Sequence, residues 1–318
     1  MGRGKGSLAT PGEVETAPAY VGGGGASEEA RRARSRRRFA ILGLASGPLG
    51  YLALFFLIPV VVVGSYSVGT LTLLPQDEYL SLQPWRDFLF GSVYMSVFWR
   101  SVWMALVVSV LSVVLAYPVA YFLAQVAGLR KYTLLLVIIA PFLTSYLLRV
   151  LALRVILQED GVVNSFLRLV GALGPDEAIG WLFNSRFAVY FVLVYVWVPF
   201  VALPIFVSLE SLDRALLEAS SDLGASRWRT FWTITFPLSL PGVIAAFIFV
   251  FIPTLGEYVT PLLVGGPNNF MFGNAIQGAF LQGFDWQFGS AMSMFLVLAV
   301  VLLILVFGRY LNARTVTD

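Results

Sequence analysis

Apolar side chains fall along this chain in six long runs, at roughly 40–65, 97–125, 133–157, 187–209, 239–263 and 289–309. Each is about twenty residues or longer, the length a helix needs to cross the hydrocarbon core of a bilayer. Backbone polar groups in lipid have no water to bond, so such runs predict helices rather than open strands. The expectation is an all-α membrane protein with six crossings. Prolines interrupt the runs: Pro48 and Pro59 in the first, Pro118 in the second, Pro141 in the third, Pro199 and Pro204 in the fourth, Pro253 in the fifth. Neighbouring helices can satisfy the carbonyls that proline frees. The prolines fit kinked helices around a cavity and they fit plain packing.

The interval between the fourth and fifth runs has a pattern of its own. Leu212, Ala215, Leu216, Ala219 and Leu223 fall on one helical face, with Arg214, Glu218, Ser221 and Asp222 largely on the other. Asp213 is placed to cap this helix, and Leu212 and Leu217 to staple it. Gly224 permits the left-handed conformation that ends a helix. Ser226 can cap a second short helix carrying Trp228, Phe231 and Trp232, and Pro237 is expected to end it and return the chain to the bilayer. The prediction is a helix–turn–helix on the membrane surface. An ordinary amphipathic interfacial loop would share this periodicity.

Composition confirms the class. The 318 residues are 58% hydrophobic and 12% charged, about half the charge fraction of a soluble domain, and the mean hydropathy is +0.82. Cysteine and histidine are both absent. That excludes disulfides, thiol chemistry, thiolate metal sites and histidine acid–base catalysis.

The distribution of base predicts orientation. Arg31, Arg32, Arg34 and Arg36–Arg38 precede the first run; Arg130 and Lys131 lie in the second connection; Arg214, Arg227 and Arg229 in the fourth; Arg309 and Arg314 at the C-terminus. The first, third and fifth connections are poorer in Lys and Arg. The even connections and both termini are therefore expected in the cytoplasm. Residues 1–38 are rich in Gly, Ala, Ser and charge, cannot bury a core, and are expected to be a disordered cytoplasmic tail. Its arginines set topology or touch anionic lipid. The rest, 39–318, is read as one six-span domain with a loop at about 210–237.

Glu218-Ala219-Ser220, with Gly224, then Ile234 and Pro237, resembles the EAA loop of ABC importer permeases, whose pattern is EAA-x3-G-x9-I-x-L-P. Ser220 and Phe236 depart from it, each keeping size or apolarity. The resemblance implies the type I ABC importer permease fold, with Glu218, Ala219, Asp222, Gly224, Ile234 and Pro237 in a coupling helix against an ATPase. It implies four partners: a second homologous permease, two copies of a cytoplasmic ABC ATPase, and an extracytoplasmic substrate-binding protein. The setting would be the bacterial inner membrane and its lipid, with no nucleic acid. No Gly-x4-Gly-Lys-Ser/Thr loop is present. The chain is therefore expected to bind no cofactor and to leave ATP hydrolysis to its partner.

The fifth run carries the most unusual chemistry. Glu257 lies between Gly256 and Tyr258, with Pro253 and Pro261 on either side. A carboxylate in hydrocarbon is costly, so it faces water or meets a partner. The glycine and prolines predict a broken helix lining a path. Pairing with Arg149 or Arg154, toward the outer end of the third run, is the other reading. Beyond them, 158–161 reads as a turn and 162–170 as a short outer helix.

Residues 141–149, 161–167 and 256–266, followed by Asn274, Gln277, Asp285 and Trp286, are similar to the B-type permeases of spermidine/putrescine importers, over about residues 40–310. That resemblance implies a polyamine cargo. Carboxylates beside aromatic faces suit a flexible polycation, and Glu257 with Tyr258 and Asp285 with Trp286 supply the pairing. Another organic cation, an amino-acid derivative, an anion or ferric iron would use the same machinery. A passive channel and an intramembrane enzyme are remoter readings; the spans hold no paired carboxylates for an enzyme.

Overall fold

The computed structural model describes residue 2, residues 23–69 and residues 81–315. No strand occurs among the described residues. Two units are distinguished, 1–59 and 60–318. The first holds most of helix α1 (Gly23–Ser67), with Pro48 and Pro59 inside it. Helix therefore reaches back through the arginine cluster at 31–38, where an unstructured tail was expected. The rest of that tail, residues 1 and 3–22, lies outside the described residues.

In the second unit, α2 (Gln83–Phe90) leads into α3 (Ser92–Gln125). Helices α4 (Lys131–Ile139), α5 (Tyr146–Leu157) and α6 (Val162–Leu169) follow. Then come α7 (Arg186–Glu210), α8 (Arg214–Asp222), α9 (Arg227–Thr230) and α10 (Phe236–Leu255). The last two are α11 (Phe272–Leu281) and α12 (Trp286–Thr315). Among the described residues, five helices are long and apolar enough to cross a membrane, and a bent pair makes a sixth crossing if it counts as one span.

Helices α3, α7 and α10 form the centre. Met104, Val108 and Ala120 of α3 meet Val192, Ala202 and Ile205 of α7 and Ala246 and Val250 of α10, all buried. Lipid gives no hydrophobic drive to this association, so small residues and close contact supply it. Polar groups inside are satisfied locally. Tyr117 Oη and Ser239 Oγ share a hydrogen bond of 2.9 Å between α3 and α10. Ser101 and Ser109 donate back to the carbonyls of Val97 and Ala105. A second cluster, Phe88, Phe98, Phe272 and Met292, ties α2, α3, α11 and α12 together.

The third run departs from expectation. It is not one helix over 133–157. Its halves, 128–143 and 146–169, are bent by 84°. A 3₁₀ turn at Ala140–Leu143 holds Pro141, and Thr144 and Ser145 are extended. Proline lacks the N–H that would continue the ladder; Ala140 before it keeps helical angles, and the chain extends at Thr144. Thr144 Oγ1 donates to Pro141 O at 2.6 Å and closes the corner. The turn at 158–161 and a short helix after it occur as expected, with Gly161 N donating to Gln158 O at 2.8 Å.

Candidate functional site

Helix α8 is built as its sequence requires. The Asp213 carboxylate accepts from Ala215 N–H at 2.9 Å, satisfying an otherwise unpaired donor at the helix start. Gly224 ends the motif with φ +77°. Gly224 N donates to Ser221 O at 2.9 Å, and Ala225 N to Ser220 O at 3.1 Å, which together close the helix end. Ser226 Oγ accepts from Arg229 N–H at 3.3 Å and starts α9. Ser220, a departure from the EAA pattern, is buried, and its hydroxyl shares a hydrogen bond of 2.8 Å with Thr230 Oγ1. The substitution thus adds a clasp across the turn.

The role expected of Pro237 needs correction. It does not end a separate second helix. Residues 227–255 run on as one span, through a π-helical turn at Phe231–Thr235 in which Phe236 N donates to Phe231 O. Pro237 stands in the first turn of α10. A first-turn proline lacks only a donor that would be free anyway, and the wider π turn shifts the ladder ahead of it. Ile234 is half-buried in that turn.

Glu218, Ala219 and Asp222 are exposed, as are Leu216, Leu223 (88%) and Trp228. The outward surface of the loop is therefore an apolar patch edged with carboxylates. Its root is rigid. Phe231 packs edge-on to Tyr117 at 5.8 Å and to Tyr121 at 6.0 Å, and Phe236 lies 5.8 Å from Tyr117. These rings tie the base of the loop to α3 and α10.

The break expected in the fifth run is present. Helix α10 stops at Leu255, Gly256 caps it, and Glu257 and Tyr258 are non-helical. Glu257 Oε1 accepts from Val259 N–H at 2.8 Å and Thr260 N–H at 3.1 Å, so it caps the short helical piece beyond. Asn274, on α11, holds the same corner: its amide donates to Tyr258 O at 2.7 Å, and its carbonyl accepts from Met271 N–H at 2.9 Å. Gly273 lets α11 approach so closely, because a Cβ there would stand 2.4 Å from Gly256 O. Tyr146, from α5, shares a 2.6 Å hydrogen bond with Thr260 Oγ1.

No ion pair joins Glu257 to Arg149 or Arg154 among the described residues; those arginines lie over Phe142 and Phe183 instead. Asp285 and Trp286 are placed apart from Glu257. Asp285 accepts from Phe288 N–H at 2.9 Å to start α12. It lines an open cavity of about 280 Å³ with Ser81, Gln83 and Asp87, which Glu257 does not enter. Trp286 packs beside Tyr66 and Phe280. The two carboxylate–aromatic pairs are thus separate places. Tyr146 and Gly273 carried no signal in the sequence, since each is defined by what folds onto it.

Arg100 of α3 donates to the carbonyls of Asn268 and Phe270 at 3.1 and 2.7 Å and pins the loop before α11. At the other end of the spans, Lys131 pairs with Glu210 at 2.6 Å and fastens the start of α4 to the end of α7.

Comparison with known proteins places this architecture. Residues 92–317 match the family described as binding-protein-dependent transport system inner membrane component. The spermidine/putrescine transport system permease protein PotB of Escherichia coli K12 is 36% identical over 266 residues, 82% of this chain and 94% of that one. The inner membrane ABC transporter permease protein YdcU of the same organism is 34% identical over 251 residues, 74% and 79% of the two chains. Among solved structures, a chain of a bacterial ABC transporter that imports the acidic polysaccharide alginate superposes with a TM-score of 0.64. That match has 17% identity and covers 89% of this chain and 99% of that one. The fold is that of an ABC importer's membrane subunit, and the chain belongs to the family of binding-protein-dependent transport system inner membrane components.

Proposed function

We propose that this chain is a permease subunit of an ATP-driven importer of polyamines and forms half of its translocation pore. The observation that carries this reading is the 36% identity to a spermidine/putrescine permease across 82% of the chain. The capped break at Glu257 supports it, because it puts a half-buried carboxylate beside the half-exposed ring of Tyr258. A second homologous permease completes the pore. One of two cytoplasmic ATPase copies sits on the surface formed by Leu216, Glu218, Ala219, Asp222 and Leu223, the other on the second permease, and they hydrolyse the ATP; this chain has no phosphate loop of its own. An extracytoplasmic binding protein delivers cargo to the opposite face. ATPase closure pushes on α8, and the aromatic root at Tyr117 and Phe231 carries the push into α3 and α10.

The test is uptake by the purified five-subunit complex in proteoliposomes. ATP and the binding protein together should drive accumulation of labelled spermidine or putrescine. Accumulation of some other solute in place of both would overturn the cargo assignment.

Orientation is open to direct measurement because the chain has no native cysteine. Ser221 and Asn268 are both exposed. An impermeant thiol reagent applied to intact cells should label N268C and leave S221C unlabelled until the membrane is opened. The opposite labelling would reverse the assigned topology.

A further inference from the structure

Arg149 of α5 is poorly provided for. Its Nη2 donates only to Thr144 O, at 3.5 Å, and its Nε and Nη1 are buried with no partner. A guanidinium stripped of water and left with unbonded N–H groups is costly. What holds it is a ring face: its Cζ lies 4.5 Å from the centroid of Phe142, in the 3₁₀ turn at the broken third span. That place stabilises a cation by its π-system.

The ring is the first of a series. Phe142 meets Phe200 at 5.3 Å and Tyr195 at 6.3 Å. Phe200 meets Phe249 at 6.4 Å, and Trp197 stands 6.1 Å from both. Tyr195, Trp197 and Phe200 belong to the middle of α7, and Phe249 to α10. Phe249 and Tyr195 are 52% and 42% exposed, so the series is open along one side. At the Arg149 end, Tyr146, on the same helix as Arg149, bonds Thr260 beside the Glu257 cap.

We propose that Phe142, Phe200 and Phe249, flanked by Tyr195 and Trp197, form a cation–π track for the ammonium groups of a cargo in transit, and that the Arg149 guanidinium holds the first ring until a cargo cation displaces it. Steps of this size suit ammonium groups separated by three or four methylenes. Arg149 gives the track selectivity: a neutral solute cannot replace it on the ring, and an anion would bind it and stay. The inference rests on the organic-cation reading above and extends the path from Glu257 to the middle of the spans.

The test uses the complete complex with its binding protein in proteoliposomes. Phe142→Leu and Phe249→Leu keep bulk and remove the π-face. Each should lower spermidine import about tenfold, with complex yield and stimulated ATPase activity unchanged. Phe142→Tyr, which restores a ring, should recover most of the rate. Leucine variants that import at the parent rate would defeat the track, as would a tyrosine variant no better than leucine. Loss of complex yield in step with import would defeat it too, by showing that the rings only pack against a neighbour. If the unaltered complex imports a different organic cation, the polyamine reading fails and ring dependence is measured on that cation. If it imports only a neutral or anionic solute, both fail.

Discussion

Replacing Gly224 with valine should cut ATP-driven import by about tenfold while leaving membrane insertion and pairing with the second permease intact. The cause is backbone handedness. Gly224 has φ +77°, where a residue with a Cβ is strained by about 1–2 kcal/mol, and a β-branched one more so. Space is not the obstacle, since a Cβ built there has nothing within 4 Å. A strain of about 1–2 kcal/mol lowers the population of this turn roughly five- to thirty-fold. The turn sets the angle between α8 and α9 and brings Ser220 to Thr230, so on the proposed coupling role a re-angled α8 would no longer meet the ATPase. Asparagine tolerates the left-handed region, and Gly224→Asn should retain most of the import. Uptake and copurifying ATPase are measured for both variants. Equal transport by valine and parent would mean that this turn carries no coupling. Equal loss in valine and asparagine variants would point to side-chain crowding by the docked partner rather than to backbone strain.

Where the sequence could be read correctly, the determinant was local. The helix start at Asp213, the stop at Gly224 and the break around Glu257 are each set by a few adjacent residues whose backbone preferences do not depend on the rest of the fold. The six apolar runs are legible for the same reason. Hydropathy, however, reports only that a segment is in lipid; it says nothing of the direction in which the segment runs. The 84° bend near Pro141 was therefore hidden inside a run that looked like one span. Pro237 was misread because proline is compatible with both a helix end and a first turn. What distinguishes them is the π turn before it, which the packing of Phe231 against Tyr117 and Tyr121 stabilises. Gly273 and Tyr146 act at the break only because α11 and α5 fold onto it. Arg149 looked like a partner for Glu257 on charge alone. The bend at Pro141 sends it instead to the Phe142 ring.

Glu257→Gln should lower polyamine import about tenfold with assembly and binding-protein affinity unchanged. The substitution is clean because of how the carboxylate is used. A single oxygen, Oε1, accepts both the Val259 and Thr260 N–H groups. Glutamine keeps a carbonyl oxygen able to accept both, so the cap survives and only the charge is lost. An ionised carboxylate in a span costs about 3 kcal/mol where nothing compensates it, and no arginine pairs with it among the described residues. Structure alone would lose only the charge-assisted part of those two hydrogen bonds, whereas a cation in transit would lose its counter-charge. Losing about 1.4 kcal/mol of stabilisation for the moving cation is a tenfold loss of rate. Glu257→Ala behaves differently. It strips the cap, at about 1 kcal/mol, and leaves the amide of buried Thr260 without an acceptor. Complex yield should then fall together with import. Uptake and yield measured side by side separate the roles. A loss of import confined to uptake in the glutamine variant assigns the charge to the path. A loss of yield already present with glutamine would make the negative charge a structural requirement of this state. Full import by the glutamine variant would show that cations pass this break without using the charge at all.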